Sequence, residues 1–213
     1  MKTKILPASD PQALRHASDI LQRHGVVAFP TDTVYGLGAG AFDEAGVDRL
    51  YSVKGRDQTK AIAILLADLE QLYRVLAEPS TDMLQFARAF WPGPLTLVLR
   101  RHPSIPDIVS PDSTLGVRIP DHPVARALLR FVGPLATTSA NLSGGENATT
   151  AEGVLAQLDG RIDLLLDGGQ SPGGQPSTVL DLSGAAPKIV REGPIRLSQI
   201  KQALQAAGIS SNL

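Results

Sequence analysis

Cysteine is absent from the 213 residues. That excludes a disulfide framework, a thiolate nucleophile, thiolate-held zinc and an iron–sulfur cluster, and it suits a reducing compartment. Aromatic residues make up only 4% of the chain, so a core has to be assembled from Leu, Val, Ile and Ala, and a base-stacking platform for nucleic acid has little to work with. Charge of one sign is not in excess either. Lys and Arg number 20 against 21 Asp and Glu, a formal net charge of -1, so an anionic partner has to be met by a local patch. No stretch approaches the roughly 20 consecutive apolar residues of a membrane span, and residues 1–10 lack the apolar segment of a signal peptide. A cytoplasmic protein with no membrane partner is expected. His16, His24, His102 and His122 are dispersed without metal-ligand spacing, so structural zinc is not expected. The chain also lacks a GxSxG elbow and a Walker sequence, and GLGAG at 36–40 lacks the spacing of a dinucleotide fingerprint.

What is present is aliphatic and punctuated. Hydrophobic residues reach 43%, with 20 Gly and 16 Pro, enough for one large domain whose turns are fixed by glycine and proline. Asp10 and Pro11 open a helix with Leu14, Ala17 and Leu21 on one face and Gly25 as its stop. A buried strand is predicted at 26–29, a helix from Asp43 carrying Val47, Leu50 and Tyr51, and a strand at 62–66 beyond the polar loop 54–60. Helices follow at 68–77 and 81–90, then a break at Pro92-Gly93-Pro94, a strand at 95–99 and a proline-rich loop at 103–111. A strand at 115–119 leads to a helix with Pro123 in its first turn and Gly133 past its end, and 135–138 is extended. The last third reads as a helix at 150–158, a strand at 162–166, a glycine loop at 168–175, strands at 178–182 and 188–191, and a closing helix at 198–208 capped by Ser198. This order predicts the α/β class (α+β in some schemes), a three-layer open domain with helices covering a twisted sheet. The sheet should mix parallel and antiparallel strands, because 178–182 and 188–191 follow one another without a helix.

Chemistry-bearing residues cluster in loops at strand ends, where an open sheet exposes backbone groups on a rigid support. PTDTVYGLG at 30–38 reads either as a turn in which Thr and Asp bond their own backbone or as a ligand loop. Lys54, Arg56 and Lys60 put three cations within seven positions, which reads equally as solvated surface or as a polyphosphate site. Ser139 and Asn141 follow a strand and either cap a turn or aim hydroxyl and amide groups at a ligand.

In order along the chain stand PTDTVYGLG, KGR, WPGPLT, GVRIP, TSAN, DGG, PSTVLDL and REGP. This set, covering about 26–194, resembles the YrdC-like family of L-threonylcarbamoyladenylate synthases, in its short, single-domain type, with 1–213 as one domain and no second C-terminal domain. The resemblance implies an enzyme joining L-threonine, bicarbonate and ATP into threonylcarbamoyl-AMP and pyrophosphate, the first step of threonylcarbamoyladenosine modification of tRNAs reading ANN codons. It implies Thr33, Arg118, Thr137 and Ser177 as threonine contacts, with Arg118 on the carboxylate. It implies Lys54, Arg56, Ser139 and Arg191 as ATP ligands, joined by Lys60, Thr114 and Asn147. No covalent nucleophile is implied: Lys54 and Arg56 act electrostatically, beside magnesium brought with ATP and held by ligands the sequence does not assign. Haem, flavin, NAD, zinc and iron–sulfur are not implied. The product would pass to a downstream tRNA threonylcarbamoyl transferase complex, and weak tRNA binding is compatible with a basic cavity. Asp57 and Ala61 stand where relatives often carry proline, and Leu65 where some carry histidine. Cations serving a ligand rather than a core should be replaceable, so Arg56→Ala and Arg118→Ala are expected to fold normally. The alternatives are a non-catalytic RNA-binding or ribosome-assembly module using the same cavity, and a lyase or synthase on the fold of dihydroxybutanone phosphate synthase.

Overall fold

The structure, a computed structural model, describes residues 2–210 and 213. In chain order its elements are β1 (Lys4–Pro7), α1 (Ala13–Leu21), β2 (Val27–Phe29), β3 (Gly36–Gly40), α2 (Glu44–Lys54), β4 (Ala63–Leu65), α3 (Leu72–Val75), α4 (Thr81–Arg88) and β5 (Leu95–Arg100). They continue with β6 (Thr114–Arg118), α5 (Pro123–Val132), β7 (Leu135–Ser139), α6 (Ala151–Leu158), β8 (Leu164–Asp167), β9 (Thr178–Asp181), β10 (Lys188–Arg191) and α7 (Leu197–Ala206). All ten strands join one sheet in the order β1-β8-β2-β3-β7-β4-β6-β5-β9-β10. Four pairs, β1–β8, β8–β2, β4–β6 and β5–β9, are parallel and the other five antiparallel, so the sheet is mixed.

Three layers result, as the alternation predicts. On one face Ala13, Ala17 and Leu21 of α1 and Ala125, Leu128 and Leu129 of α5 bury against Phe29, Leu135, Leu164 and Leu166. The remaining helices cover the other face, where Leu50, Phe86, Leu158 and Leu204 meet Leu37, Ile64, Leu97 and Val117. Each such large side chain contributes about 1.5–3 kcal/mol of burial. The cluster beneath α1 and α5 reaches no strand beyond β4. From β7 outward, that face of the sheet is left to line a cavity. Among the described residues no helix is long and apolar enough to cross a membrane.

Two strands escape the sequence pattern. β3 is GLGAG, whose first three residues fall in the segment read above as a turn or a ligand loop, yet its Leu37 and Ala39 point to the core while glycines take the other face. A Cβ on Gly38 would sit 3.1 Å from the Phe29 ring, and one on Gly36 would sit 3.0 Å from Thr137 Cγ2, so the glycines make room for neighbouring side chains. β1 pairs in parallel with β8 at the sheet edge, a short strand bounded by Lys4 and Pro7. The helix predicted at 68–77 is a 3₁₀ turn, Leu69–Gln71, followed by the short α3. It stops because Leu76 forms a β-bridge with Arg101 and Ala77 N–H donates to the Arg100 carbonyl, a tertiary pairing that outcompetes helix propensity. The final helix begins at Leu197 rather than at a Ser198 cap, with Gln199 Oε1 accepting the Arg196 N–H at 2.9 Å.

Candidate functional site

Strand alternation assembles the site. Residues two apart share a face of a strand, so Thr137 and Ser139 of β7, Thr114 and Arg118 of β6, and Thr96 and Val98 of β5 open into a single cavity of about 420 Å³. Small residues keep its floor low: a Cβ on Gly116 would meet Thr96 Cγ2 at 3.3 Å and Ala63 Cβ at 3.4 Å. A second cavity, of about 450 Å³, lies between Leu76–Met83 and Leu182–Pro187. It gathers none of the residues nominated by the sequence, whereas the 420 Å³ cavity gathers Thr33, Arg56, Thr114, Arg118, Thr137, Ser139, Asn147, Ser177 and Arg191. Lys54 and Lys60 are not in its lining. The chemistry therefore favours the smaller cavity.

Arg118 sits at one end, 6% exposed. Its Nε donates to the Gly93 carbonyl at 3.0 Å, its Nη1 to Thr33 Oγ1 at 3.0 Å, and its Nη2 to Asp32 Oδ1 in a salt bridge. Burial pushes its pKa down, while the Asp32 carboxylate opposes that shift. A guanidinium has five N–H groups, so two remain for a ligand. Arg118 is thus half of a buried ion pair, not a free loop charge, which corrects the expectation that Arg118→Ala would leave folding untouched. Thr31 Oγ1 bonds both Thr33 Oγ1, at 3.0 Å, and the Val34 carbonyl, at 2.6 Å, so the PTDT loop is internally locked. Over it lies the glycine loop, with Gly174 N–H donating to the Thr33 carbonyl and Gly173 so close that a Cβ would fall 2.6 Å from the Asp32 carbonyl. Tyr35 ties the loop down through its hydroxyl, 2.7 Å from the Gly169 carbonyl, and burial pushes that hydroxyl up to about 12.

Ser177 occupies the neighbouring wall. Its Oγ lies 2.8 Å from Thr96 Oγ1 and accepts from Arg191 Nη2 at 3.2 Å, while Arg191 Nε and Nη2 also donate to the Ser177 carbonyl at 3.0 and 2.9 Å. Burial lowers the Arg191 pKa, and its charge in turn weighs on Arg118. Gly193 permits this turn, because a Cβ there would collide with the Thr178 amide and the Ser177 backbone. At the rim Arg56 Nη2 donates to the Ala61 carbonyl at 3.0 Å and Tyr51 OH to the Lys60 carbonyl at 2.9 Å, folding the basic loop inward while the Lys60 side chain stays exposed. Lys54 is buried at the end of α2, its ammonium against the carbonyls of Ser139 and Asn141.

Several lining residues carried no individual signal in the sequence: Thr31, Tyr35, Thr96, Ser110 and Asp112. Thr31, Tyr35 and Thr96 stood inside PTDTVYGLG and WPGPLT, so their motifs, not their types, pointed to them. Ser110 comes from the proline-rich loop and Asp112 follows it directly, and neither had a pointer. Among the described residues no cluster of three or more His, Cys, Asp or Glu side chains could cage a metal.

Comparison with known proteins places the chain in a family. The Sua5/YciO/YrdC family model, described as "Telomere recombination", matches residues 19–193. A Bacillus subtilis protein named threonylcarbamoyl-AMP synthase is 40% identical over 217 residues, 99% of this chain and 62% of that protein. Pyrococcus abyssi Sua5 complexed with L-threonine superposes with a TM-score of 0.87 at 38% identity, over 90% of this chain and 57% of that one. E. coli YciO superposes with a TM-score of 0.81 at 27% identity, over 93% of this chain and 98% of that one. The chain therefore spans about three-fifths of the length of the Bacillus and Pyrococcus proteins and nearly all of YciO. Eight ordered motifs, a shared mixed-sheet fold and a family match over most of its length place the same conclusion on every level: the chain belongs to the Sua5/YciO/YrdC family.

Proposed function

We propose that the protein is a threonylcarbamoyl-AMP synthase that condenses L-threonine, bicarbonate and ATP, releasing pyrophosphate and water, in the first step of threonylcarbamoyladenosine formation on tRNA. The observation that carries this reading is that one cavity gathers the Thr33–Arg118–Ser177 group and the Arg56–Ser139–Arg191 group on adjoining walls. The Bacillus relative's name and the threonine bound to the Pyrococcus relative support it.

The reaction asks for no protein nucleophile. The threonine amine captures bicarbonate as a carbamate with loss of water, and a carbamate oxygen attacks the α-phosphorus while the bond to pyrophosphate breaks. The two free N–H groups of Arg118 take the amino-acid carboxylate, with the Thr33, Thr137 and Ser177 hydroxyls beside it. Arg56, Arg191, Ser139, Thr114 and Asn147 meet the nucleotide, and Lys60 stands outside the lining on the loop that carries Arg56. Negative charge grows on the leaving pyrophosphate, where a preorganised donor is worth roughly 2.7–4 kcal/mol. Arg56 faces that charge directly, and the buried Lys54 ammonium adds its field from behind the wall. Magnesium enters as the magnesium complex of ATP; the lining offers it one carboxylate, Asp112, and ions of this type take their remaining ligands from phosphate and water. A carbamate is easily lost in water, so holding it beside ATP gains from proximity. The product would pass to a tRNA threonylcarbamoyl transferase complex.

The test is pyrophosphate release by the purified protein with magnesium, ATP and bicarbonate, with and without L-threonine, and with L-serine as control. Release should require threonine, and serine should be poorer by about 10-fold or more, the worth of one methyl group in a pocket. Absence of threonine-dependent release would reject the synthase and favour the RNA-binding module, whose tRNA affinity would fall steeply with salt.

A further inference from the structure

Lys54 is the last residue of α2, 3% exposed and outside the cavity lining. Its Nζ donates to the Ser139 carbonyl at 2.6 Å and to the Asn141 carbonyl, with Asn141 Oδ1 at 3.4 Å. An ammonium has three N–H groups. The two carbonyls take two of them and the third has Asn141 Oδ1 at a long 3.4 Å, so the ammonium is engaged with the turn while the residue stays out of the cavity lining. The backbone reciprocates, because the Lys54 carbonyl accepts the Ser143 N–H at 2.9 Å. The turn after β7 is therefore bonded to Lys54 at both ends of the residue, and Asn141 Nδ2 locks it further through the Leu142 and Gly145 carbonyls at 2.9 and 2.7 Å. Among the described residues Lys54 has no carboxylate partner, so carbonyl dipoles alone meet its charge. On its other side Gly55, in the left-handed region at φ +59°, reverses the chain and delivers Arg56 into the lining. Lys54 joins three parts of the site: the end of α2, the Arg56 loop and the Ser139 turn.

We propose that Lys54 is a positioning residue: it fastens the Ser139–Asn141 turn to the end of α2 and so sets the wall on which Ser139 and Arg56 meet the nucleotide, without touching the nucleotide itself. The inference rests on the nucleotide role proposed above for that wall. Burial and the Arg56 charge pull the Lys54 pKa down to about 8.

The experiment is a double-mutant cycle with Lys54→Met, which keeps the aliphatic stem, and Ser139→Ala, read by calorimetric titration of magnesium-ATP, together with amide hydrogen exchange of the ligand-free proteins. If Lys54 acts through the turn, each single change weakens ATP binding about 10-fold and the double variant is no weaker than the poorer single one. A direct phosphate contact would make the losses multiply to about 100-fold, overturning the proposal. Exchange at amides 139–145 should accelerate in Lys54→Met without a change elsewhere, and unchanged exchange there overturns the proposal as well. Should the wild-type protein bind no ATP, the synthase reading fails and the exchange result alone decides the role of Lys54. Should Lys54→Met not fold, Lys54→Gln, which keeps two N–H donors for the same carbonyls, goes through the same measurements.

Discussion

Arg118→Ala should unfold this protein more easily as well as disable it. The guanidinium is 6% exposed, and the Asp32 carboxylate that it pairs with is 9% exposed in its side chain. Truncating Arg118 leaves Asp32 buried without its counter-charge, with Oδ2 already lacking a partner among the described residues, and strips donors from the Gly93 carbonyl and Thr33 Oγ1. Breaking a buried pair from one side costs about 3–5 kcal/mol. In a domain of this size each kcal/mol is worth about 2–4 °C, so the melting temperature should fall by about 6–20 °C. Replacing the pair as a unit, Asp32→Asn with Arg118→Met, removes both charges and should bring stability back to within about 1 kcal/mol of wild type. Threonine-dependent pyrophosphate release should stay lost in both proteins, because the carboxylate partner is missing from each. Thermal unfolding followed by circular dichroism, paired with the release assay, separates the two roles. An Arg118→Ala protein melting within about 2 °C of wild type would refute the burial reasoning. A double variant with an unchanged threonine KM would remove Arg118 from the carboxylate.

Three further outcomes follow from the same geometry. Ser177→Ala removes the Oγ between Thr96 and Arg191 but keeps the carbonyl that holds Arg191, so the threonine KM should rise about 10-fold and the ATP KM less than about 3-fold; an unchanged threonine KM rejects the assignment. Gly193→Ala forces the turn off the backbone of β9, and should cost about 1–3 kcal/mol in denaturant unfolding and raise the ATP KM through Arg191, so wild-type values of both would contradict the close approach. Lys54 supplies a pH dependence: its pKa is about 8 in the folded chain against an ordinary 10.5, so between those values the unfolded chain holds the extra proton. Wild type should then gain stability relative to Lys54→Met as pH rises from 8 to 10.5, while Tyr35, at about 12, is present in both and cancels. Denaturant midpoints that run parallel across that range would show the lysine is not desolvated.

The sheet was legible where apolar residues alternate or run together, as in β5, β6 and β8, and illegible where packing against a neighbour decides the residue. β3 is the clearest case. Its alternation of glycine with Leu37 and Ala39 has the period of a strand, but the glycines are there because Phe29 and Thr137 fill the space above them, and the contact with Thr137 spans about a hundred residues of sequence. α3 fails for a related reason, since Leu76 is drawn into a bridge with Arg101 that no local pattern announces. The site was legible through its motifs. PTDT, GVRIP, PST and REGP lie far apart in the chain, and the pairing of β3, β7, β4, β6, β5, β9 and β10 in that order brings them to one surface. What motif reading does not supply is which charges also have partners inside the protein: Arg118 and Lys54 were both read as cations for a ligand, and the first is in addition half of an ion pair while the second is bonded to two backbone carbonyls.

That inward pairing changes how the cavity divides its work. Asp32 cancels the charge of Arg118, so this end of the cavity is close to neutral while still offering two directed N–H groups and a set of locked hydroxyls. A neutral zwitterion such as an amino acid needs directed bonds more than net charge. The adjoining wall carries Arg56 and Arg191, neither paired with a carboxylate among the described residues, with Arg191 bonded to Ser177 at the border and the Lys54 charge buried behind. In the function proposed above, a triphosphate would be drawn to that wall and would gain little beside Arg118, where Asp32 repels it. In the proposed synthase a chain of net charge -1 would hold a polyanion and a zwitterion side by side without exchanging their places, because the carboxylate at Asp32 makes the surroundings of Arg118 electrostatically different from those of Arg56.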